Sequence, residues 1–213
     1  MPSAEYHALE CAVADLKSGL MDFAPSPIEP YTDSDLLKCQ AFVIFSHAEM
    51  QVYWESVARR ILSEAEKRWN SNSAVDRVIA TLIAFRRPDN VSIPENPGAP
   101  HAGGSFKILV EKAIKTQNDV VSANNGIKRA NLSELLIPLG VLPENFDETL
   151  LILSDQTGKR RGDMVHKSTK VSLRNIRDPF ADEMNDIDQL LVEISKFDTL
   201  LETLGLLAVP ENP

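Results

Sequence analysis

The sequence predicts an all-α protein, and three observations carry that prediction. Apolar residues make up 43% of the 213-residue chain, which is enough for a packed core and too much for wholesale disorder. Aromatic residues, which favour strands, account for only 6%. Long stretches carry apolar residues at steps of three and four, the spacing of one face of a helix. No segment alternates apolar and polar residues for long enough to predict a strand.

The N-terminal part of the chain predicts one helix followed by a linker. Four apolar residues recur at steps of four, three and four within residues 4–20, namely Leu9, Val13, Leu16 and Leu20. Three prolines within residues 25–30 fix the backbone and remove hydrogen-bond donors, so the helix cannot continue through them. We therefore divide the chain into residues 1–30, a helix with a proline-rich linker, and residues 31–208, a domain of bundled helices.

Residues 33–69 predict the longest helix of the chain. A cluster of N-capping residues at 32–35 precedes a stretch without glycine or proline that carries a broad apolar face. Three polar residues interrupt that face at steps of four: His47, Gln51 and Glu55. They either lie at the edge of the face or line a polar pocket inside the bundle. The edge is favoured, because burying charge without a partner costs free energy.

The remaining helices are predicted from caps and apolar spacing. They span residues 73–86, 105–121, 131–139, Asp147 to about Gly158, and 178–207. Ser105, Asn131 and Asp178 are expected to cap three of them. A left-handed cap at residues 124–126 and the turn residue Gly140 are expected to end two of them. Residues 88–104, rich in proline and glycine, are predicted to form a loop in which His101 is far more often solvated than catalytic.

Charge is distributed unevenly along this acidic chain, whose net charge is -9. Residues 1–58 carry a net charge of -7 and residues 178–213 one of -8, whereas residues 159–177 carry +6. A protein that binds nucleic acid indiscriminately is usually basic overall. If this chain meets a polyanion, we expect it to do so through residues 159–177 while the acidic remainder repels non-specific contacts.

Several classes of protein are not indicated by the sequence. The N-terminal residues include acidic side chains and no apolar block, so no secretory signal is predicted, and no apolar run approaches the roughly 20 residues of a membrane span. The two cysteines lack any metal-ligand or redox spacing, which favours a cytoplasmic location. No phosphate-binding glycine loop, zinc-binding HExxH or GxSxG motif occurs, so we predict neither a cofactor nor a metal.

The basic segment contains one pair of residues with complementary chemistry, Arg161 and His166. Histidine transfers protons near neutral pH, and arginine binds phosphate through two parallel hydrogen bonds. A ribonuclease that works without metal needs both capacities, one for the ribose hydroxyl or the leaving oxygen and one for charge on the phosphorus. One histidine does not easily act as both base and acid, whereas a symmetric dimer brings two pairs together. Asp163 can either orient His166 or hold Arg161.

The geometry of this pair depends on local structure. If the segment is a turn entering a helix, both side chains can converge on one small site, whereas five residues along a continuous helix need not point the same way. An arginine and a histidine at this spacing also occur by chance in many chains. The alternative interpretation is therefore a basic turn with a partly exposed histidine.

At these residues the chain resembles the HEPN superfamily of helical-bundle proteins, whose hallmark is Arg-x(4–6)-His. The run Arg161-Gly-Asp-Met-Val-His166 fits that motif, and its continuation to Ser168 is similar to the RiboL-PSP-HEPN branch. The resemblance covers roughly residues 33–69 and 105–200. Many members have a polar residue directly after the arginine, whereas this chain has Gly162, with the polar group displaced by one position.

The resemblance implies a HEPN-like bundle with a core of four to five helices, to which this chain adds an N-terminal helix. It also implies a homodimer that cleaves RNA without a metal. Arg161 and His166 carry over as catalytic and Asp163 as supporting, while the neighbouring cations are expected to bind RNA: Lys159, Arg160 and Lys167. Many members are toxins or anti-phage effectors with an antitoxin or another defence partner. Others have lost catalysis and bind partners or nucleotides, which is the alternative function.

Overall fold

The computed structural model describes residues 2–26, 30–86, 102–166 and 175–207. Every regular element in these ranges is helical and none is a strand, which confirms the predicted all-α class. Across the same ranges, no helix combines the length and the apolar character that crossing a membrane requires. The predictions for His101 and Lys167, and for residues 88–101 of the proposed loop, lie outside the described residues.

Seven α-helices lie within the described ranges. They are α1 (Ala4–Leu20), α2 (Asp33–Asn72), α3 (Arg77–Arg86), α4 (Ala102–Ala123), α5 (Arg129–Leu136), α6 (Glu148–His166) and α7 (Asn185–Thr203). Two short 3-10 turns, Ile137–Leu139 and Pro143–Asn145, separate α5 from α6. One π-helical turn, Pro179–Met184, leads directly into α7.

Two helix starts follow the capping chemistry that the sequence predicts. The Thr32 hydroxyl accepts a hydrogen bond from the Asp35 amide at 3.2 Å, and the Asp35 carboxylate accepts one from the Thr32 amide at 3.2 Å. Asp178 accepts from the Phe180 amide at 2.9 Å, and Pro179 occupies the first helical position. These reciprocal bonds satisfy amides that no residue inside the helix can pair.

Two predicted N-caps are wrong. Helix α4 already begins at Ala102, so Ser105 lies within its first turn, and the backbone stays helical through two glycines whose low propensity had favoured a later start. Helix α5 begins at Arg129, which places Asn131 inside the helix. The Asn131 side chain donates instead to the Asn124 side chain at 3.2 Å, a tertiary partner that capping statistics do not include.

The other predicted helix ends are partly confirmed and partly changed. Helix α3 begins at Arg77 and α7 ends at Thr203, so both are shorter than predicted. Helix α4 does end at residue 123, but residues 124–126 have no positive φ and therefore form no left-handed cap. Gly140, with φ of 91°, ends its 3-10 turn as expected. Gly158 does not interrupt α6, which continues for another eight residues to His166.

The chain divides into two compact units. The first comprises Met1–Trp54, Asn125–Ala130 and Phe146–Pro213, and it contains α1, the first part of α2, α6 and α7. Helix α1 packs on α7, where Lys17 pairs with Asp188 at 2.7 Å. The N-terminal helix, which the sequence division sets apart, therefore packs within this unit.

A buried carboxylate joins three segments of the first unit. Asp198 on α7 accepts hydrogen bonds from the Ser3 amide and hydroxyl, each at 2.6 Å, and from the Tyr53 hydroxyl at 2.8 Å. Burial and the nearby Asp198 charge raise the pKa of Tyr53 well above its usual value, so this tyrosine remains a donor. The three hydrogen bonds compensate for the loss of hydration around Asp198, which is fully buried.

The second unit comprises Glu55–Asn124 and Asn131–Asn145. The buried amide of Gln117 on α4 organises it: its Nε2 donates to the Leu135 carbonyl at 3.0 Å and its Oε1 accepts from Arg86 at 2.8 Å. Because one side chain holds both α3 and the end of α5, this unit has its own polar anchor as well as an apolar core.

Candidate functional site

The predicted site residues that the structure describes lie on one continuous helix. Helix α6 carries Lys159 through His166 without a break, so the alternative of a turn entering a helix does not apply. Successive residues of an α-helix are rotated by about 100°, which places Arg161 and His166 roughly 140° apart around the axis. Within a single copy of the chain, the helix therefore does not direct these two side chains to the same face.

His166 lies exposed at the last position of α6, and two other predicted residues share its face. Asp163 precedes it by three residues and Lys159 by seven, the spacing of a single stripe along a helix. Asp163 lies about 160° from Arg161 around the axis. Of the two roles considered for Asp163, the helical register therefore favours orienting His166.

Arg161 lies on the other side of α6, half-buried near His47 of α2. His47 is only 3% exposed, so the expectation that it lies at the edge of the apolar face is wrong. Burial, followed by the positive charges of Arg161 and Lys128, lowers the pKa of His47 to about 4. The imidazole is therefore neutral at physiological pH, which avoids the cost of a buried charge. Gln51 and Glu55 are half-buried.

Arg160 belongs to a cluster of ion pairs built around Glu183, which is 1% exposed. Its Nε donates to the Glu183 carboxylate at 2.9 Å, and its Nη2 donates to the same carboxylate and to the Asn175 carbonyl. Arg177 donates to Glu183 at 3.0 Å and to Asp186 at 2.6 Å. We call these four charged residues, Arg160, Arg177, Glu183 and Asp186, the Glu183 cluster.

The Glu183 cluster changes the interpretation of the basic segment. Burial alone would raise the pKa of Glu183, but hydrogen bonds and charge from Arg160 and Arg177 outweigh it and hold the pKa below its usual value. Breaking one partner of such a buried pair typically costs about 3–5 kcal/mol, because the other charge is left unpaired. This placement gives Arg160 a role in the stability of the fold, and the RNA contact predicted for it stays a prediction.

A cleft of about 300 Å³ opens beside the same face of α6. Helix α6 contributes Gln156, Thr157, Lys159, Arg160 and Asp163, and the other walls are formed by Val43, Arg177, Glu183, Asp186 and Ile187. Neither Arg161 nor His166 lines it. Lys159 and Asp163 belong both to the cleft and to the stripe that ends at His166.

Sequence reasoning did not find the residues that form most of this cleft. One signal was present: Glu183 begins a stripe that continues with Ile187, Leu190 and Ile194, so a carboxylate occupies a position where the other members are apolar. A charged residue at such a position indicates a buried ion pair. Its arginine partners remain hidden in the sequence, because Arg160 lies 23 residues away along the chain.

Metal-binding clusters and the buried cysteine add nothing to this site in the described part of the chain. No cluster of three or more histidine, cysteine, aspartate or glutamate side chains within residues 2–26, 30–86, 102–166 and 175–207 is placed to hold a metal ion. Burial, followed by the negative charge of Glu183, raises the pKa of Cys39 to about 12. Its thiol is fully buried, so it is a poor nucleophile.

Comparison with family models, curated proteins and solved structures finds no match to this chain. The comparisons therefore show no family for this chain, and its resemblance to HEPN proteins stays a prediction from the motif residues.

Proposed function

We propose that this protein is an endoribonuclease that acts without a metal, with His166 as the general acid–base group and Arg161 as the phosphate clamp. The observation that supports this most is the placement of His166, which is exposed at the end of α6 with Asp163 on the same helix face. An imidazole must be accessible to exchange protons with a substrate, and a carboxylate beside it can fix its tautomer and orientation.

The reaction follows from the chemistry of these two side chains. His166 takes the proton from the ribose 2′-hydroxyl, whose oxygen attacks the adjacent phosphorus. The bond from phosphorus to the 5′-oxygen of the next nucleotide breaks, which leaves a 2′,3′-cyclic phosphate, and a water molecule protonates the leaving oxygen. The Arg161 guanidinium binds the non-bridging oxygens and stabilises the charge that develops on them.

The helical geometry supports a site shared by two copies of the chain. Because Arg161 and His166 lie roughly 140° apart around α6, one copy directs only one of them at a given phosphate. A two-fold dimer can place Arg161 of one copy and His166 of the other around the same phosphate. We therefore infer that the active form is a homodimer with a shared site.

Incubation of RNA with the purified protein in EDTA tests this proposal. We expect cleavage to products that end in a 2′,3′-cyclic phosphate. His166→Ala should lower the rate by about 10²–10⁴-fold and Arg161→Ala by about 10²–10³-fold, since the first removes proton transfer and the second removes charge stabilisation. His7→Ala, which removes an exposed histidine on α1, is the matched control and should leave the rate unchanged. Full activity of His166→Ala contradicts the assignment.

A second candidate is a non-catalytic module that binds a partner or a nucleotide, and the Glu183 cluster favours it. Two arginines of the basic segment are neutralised by Glu183 and Asp186, so less positive charge faces an RNA than the sequence indicates. The same assay decides between the two. If the folded protein leaves total cellular RNA intact and retains a partner or nucleotide in pull-down, the binding module replaces the nuclease.

A further inference from the structure

The face of α6 that carries Arg161 differs in charge from the face beside the cleft. On the cleft side, Arg160 and Arg177 are both paired with Glu183. On the other side, within the residues that the structure describes, no carboxylate forms an ion pair with Arg161, which is half-buried. A guanidinium that is partly withdrawn from water and lacks a carboxylate partner favours an anion from outside the chain.

A second cation, Lys128, lies against the same face of α6. Its side chain crosses the helix at Gly158, where a methyl group would lie 2.7 Å from the Lys128 Cγ and 3.2 Å from its Cε. Gly158 precedes Arg161 by three residues, which places the two positions roughly 60° apart around the helix axis. The lack of a side chain at Gly158 therefore leaves room for the lysine chain one turn from Arg161.

The charges of Arg161 and Lys128 also act on one buried side chain, His47 of α2. Burial is the main reason that the pKa of His47 is low, and the positive charges of Arg161 and then Lys128 lower it further. Two cations this close to one side chain also repel each other, and a bound anion relieves that repulsion. Lys128 is exposed, so an anion can approach from solvent. An ammonium has three N–H donors, so Lys128 can bind that anion while it keeps a bond to a neighbouring residue.

We propose that Lys128 and Arg161 together bind one phosphate of the RNA, an inference that rests on the proposed ribonuclease function and adds Lys128 to its substrate-binding residues. The Arg161 guanidinium donates two parallel hydrogen bonds to the non-bridging oxygens, and the Lys128 ammonium donates to one of the same oxygens. Lys128 was not among the expected RNA-binding residues, because it lies well before the basic segment 159–177 in the sequence and meets α6 only in the fold.

Binding of an RNA that cannot be cut tests this site separately from catalysis. A single-stranded RNA with methylated 2′-hydroxyls lacks the attacking group and keeps every phosphate. Lys128→Met removes the charge but keeps an unbranched chain to lie across Gly158. We expect it to weaken binding about tenfold at low salt and to reduce the slope of log K against log salt by about 0.7, since one phosphate contact is lost. Lys128→Arg should retain most of the affinity, and Lys112→Met, at an exposed lysine on α4, should change nothing.

A double variant shows whether the two cations hold the same phosphate. In Arg161→Gln protein, Lys128→Met should weaken binding by clearly less than it does in the wild type, because groups that share one ligand are not independent. An equal loss in both backgrounds overturns the shared site, as does unchanged RNA binding by Lys128→Met. If Lys128→Met instead loses only the binding of inorganic phosphate, the site takes a free anion and the RNA contact is wrong.

The two proposals fail in different ways. If the wild-type protein cuts RNA in EDTA and Lys128→Met changes neither the binding nor the rate, the phosphate site is wrong and the ribonuclease stands. If the protein cuts no RNA but binds the methylated RNA through both Lys128 and Arg161, the ribonuclease is wrong and the phosphate site stands.

Discussion

Two histidines of the first unit occupy opposite environments, and the difference separates their roles. His47 is buried, with Arg161 and Lys128 close enough to disfavour a second positive charge, whereas His166 is exposed at a helix end. A neutral, buried imidazole cannot donate a proton to a substrate at physiological pH. His47 therefore belongs to the packed core, and the proposed proton transfer is assigned to His166 alone.

The environment of His47 predicts a stability that falls in mild acid. In the unfolded chain a histidine takes up a proton near pH 6.5, whereas in the fold the pKa of His47 is about 4. Between these values the unfolded state binds more protons, so stability is intact above about pH 6.5 and falls as the pH decreases toward 4. The loss attributable to His47 between about pH 7.5 and pH 5 amounts to about 2 kcal/mol.

Urea unfolding at about pH 7.5, 6 and 5 measures this effect. His47→Gln should flatten the dependence by that amount, because glutamine does not titrate. His7→Gln, an exposed histidine in the same unit, should retain the wild-type slope. This pH range lies above the usual pKa of a glutamate, so the depressed pKa of Glu183, whose contribution is lost only at lower pH, does not interfere. An unchanged slope in His47→Gln contradicts the burial argument.

At the scale of the element, helix α6 carries all the predicted site residues that the structure describes, and two glycines lie within it. A methyl group at Gly158 would approach the Lys128 Cγ to 2.7 Å, whereas one at Gly162 would meet nothing within 4 Å. Gly158 is therefore needed for the close packing of residues 125–130 on α6. Gly162 has no side chain to supply a polar group directly after Arg161, so only Asp163 supplies the polar group of the motif.

This contrast predicts opposite effects for the same substitution at two sites of one helix. Gly162→Ala should stabilise the protein by up to about 1 kcal/mol, since alanine loses less backbone entropy in a helix and meets no obstacle. Gly158→Ala should destabilise it by about 1–3 kcal/mol, because the helix gain does not offset the overlap with Lys128. Denaturant midpoints of the two variants check both signs, and stabilisation by Gly158→Ala would show that Lys128 moves away without cost.

The helices show how much of the fold could be predicted from the sequence. The apolar spacing and the caps at Thr32 and Asp178 predicted helices that the structure contains, because such signals act within a few residues. Gly158 was expected to interrupt α6 and does not, since packing outweighs the propensity of one residue. Whether Arg161 and His166 point the same way depends on whether this segment is a continuous helix or a turn entering one. Arg160 and Glu183 lie far apart in the sequence, so their ion pair could not be predicted from it. As a result, the basic segment 159–177 carries less unpaired positive charge in the fold than its sequence suggests.

At the scale of the whole molecule, the proposed contact with RNA has to overcome the net negative charge of the chain. Its net charge of -9 disfavours binding to any polyanion, and the Glu183 cluster uses two more of the basic residues internally. Productive contact must therefore come from a few well-placed groups such as Lys159 and Arg161, and a second copy of the chain doubles their number at one site.

The shared site makes one prediction that no single-copy arrangement reproduces. We expect the Arg161→Ala and His166→Ala proteins each to be nearly inactive, and mixing them under conditions that exchange subunits should form mixed dimers. In such a dimer one of the two sites combines an intact arginine with an intact histidine. Random exchange of equal amounts makes half of the dimers mixed, so about one quarter of the wild-type activity should return. A mixture of His166→Ala with the double variant has no intact site and serves as the control. If subunit exchange is verified and the wild-type protein cuts RNA while the mixture does not, each copy acts alone, and the 140° separation along α6 has been bridged within a single chain.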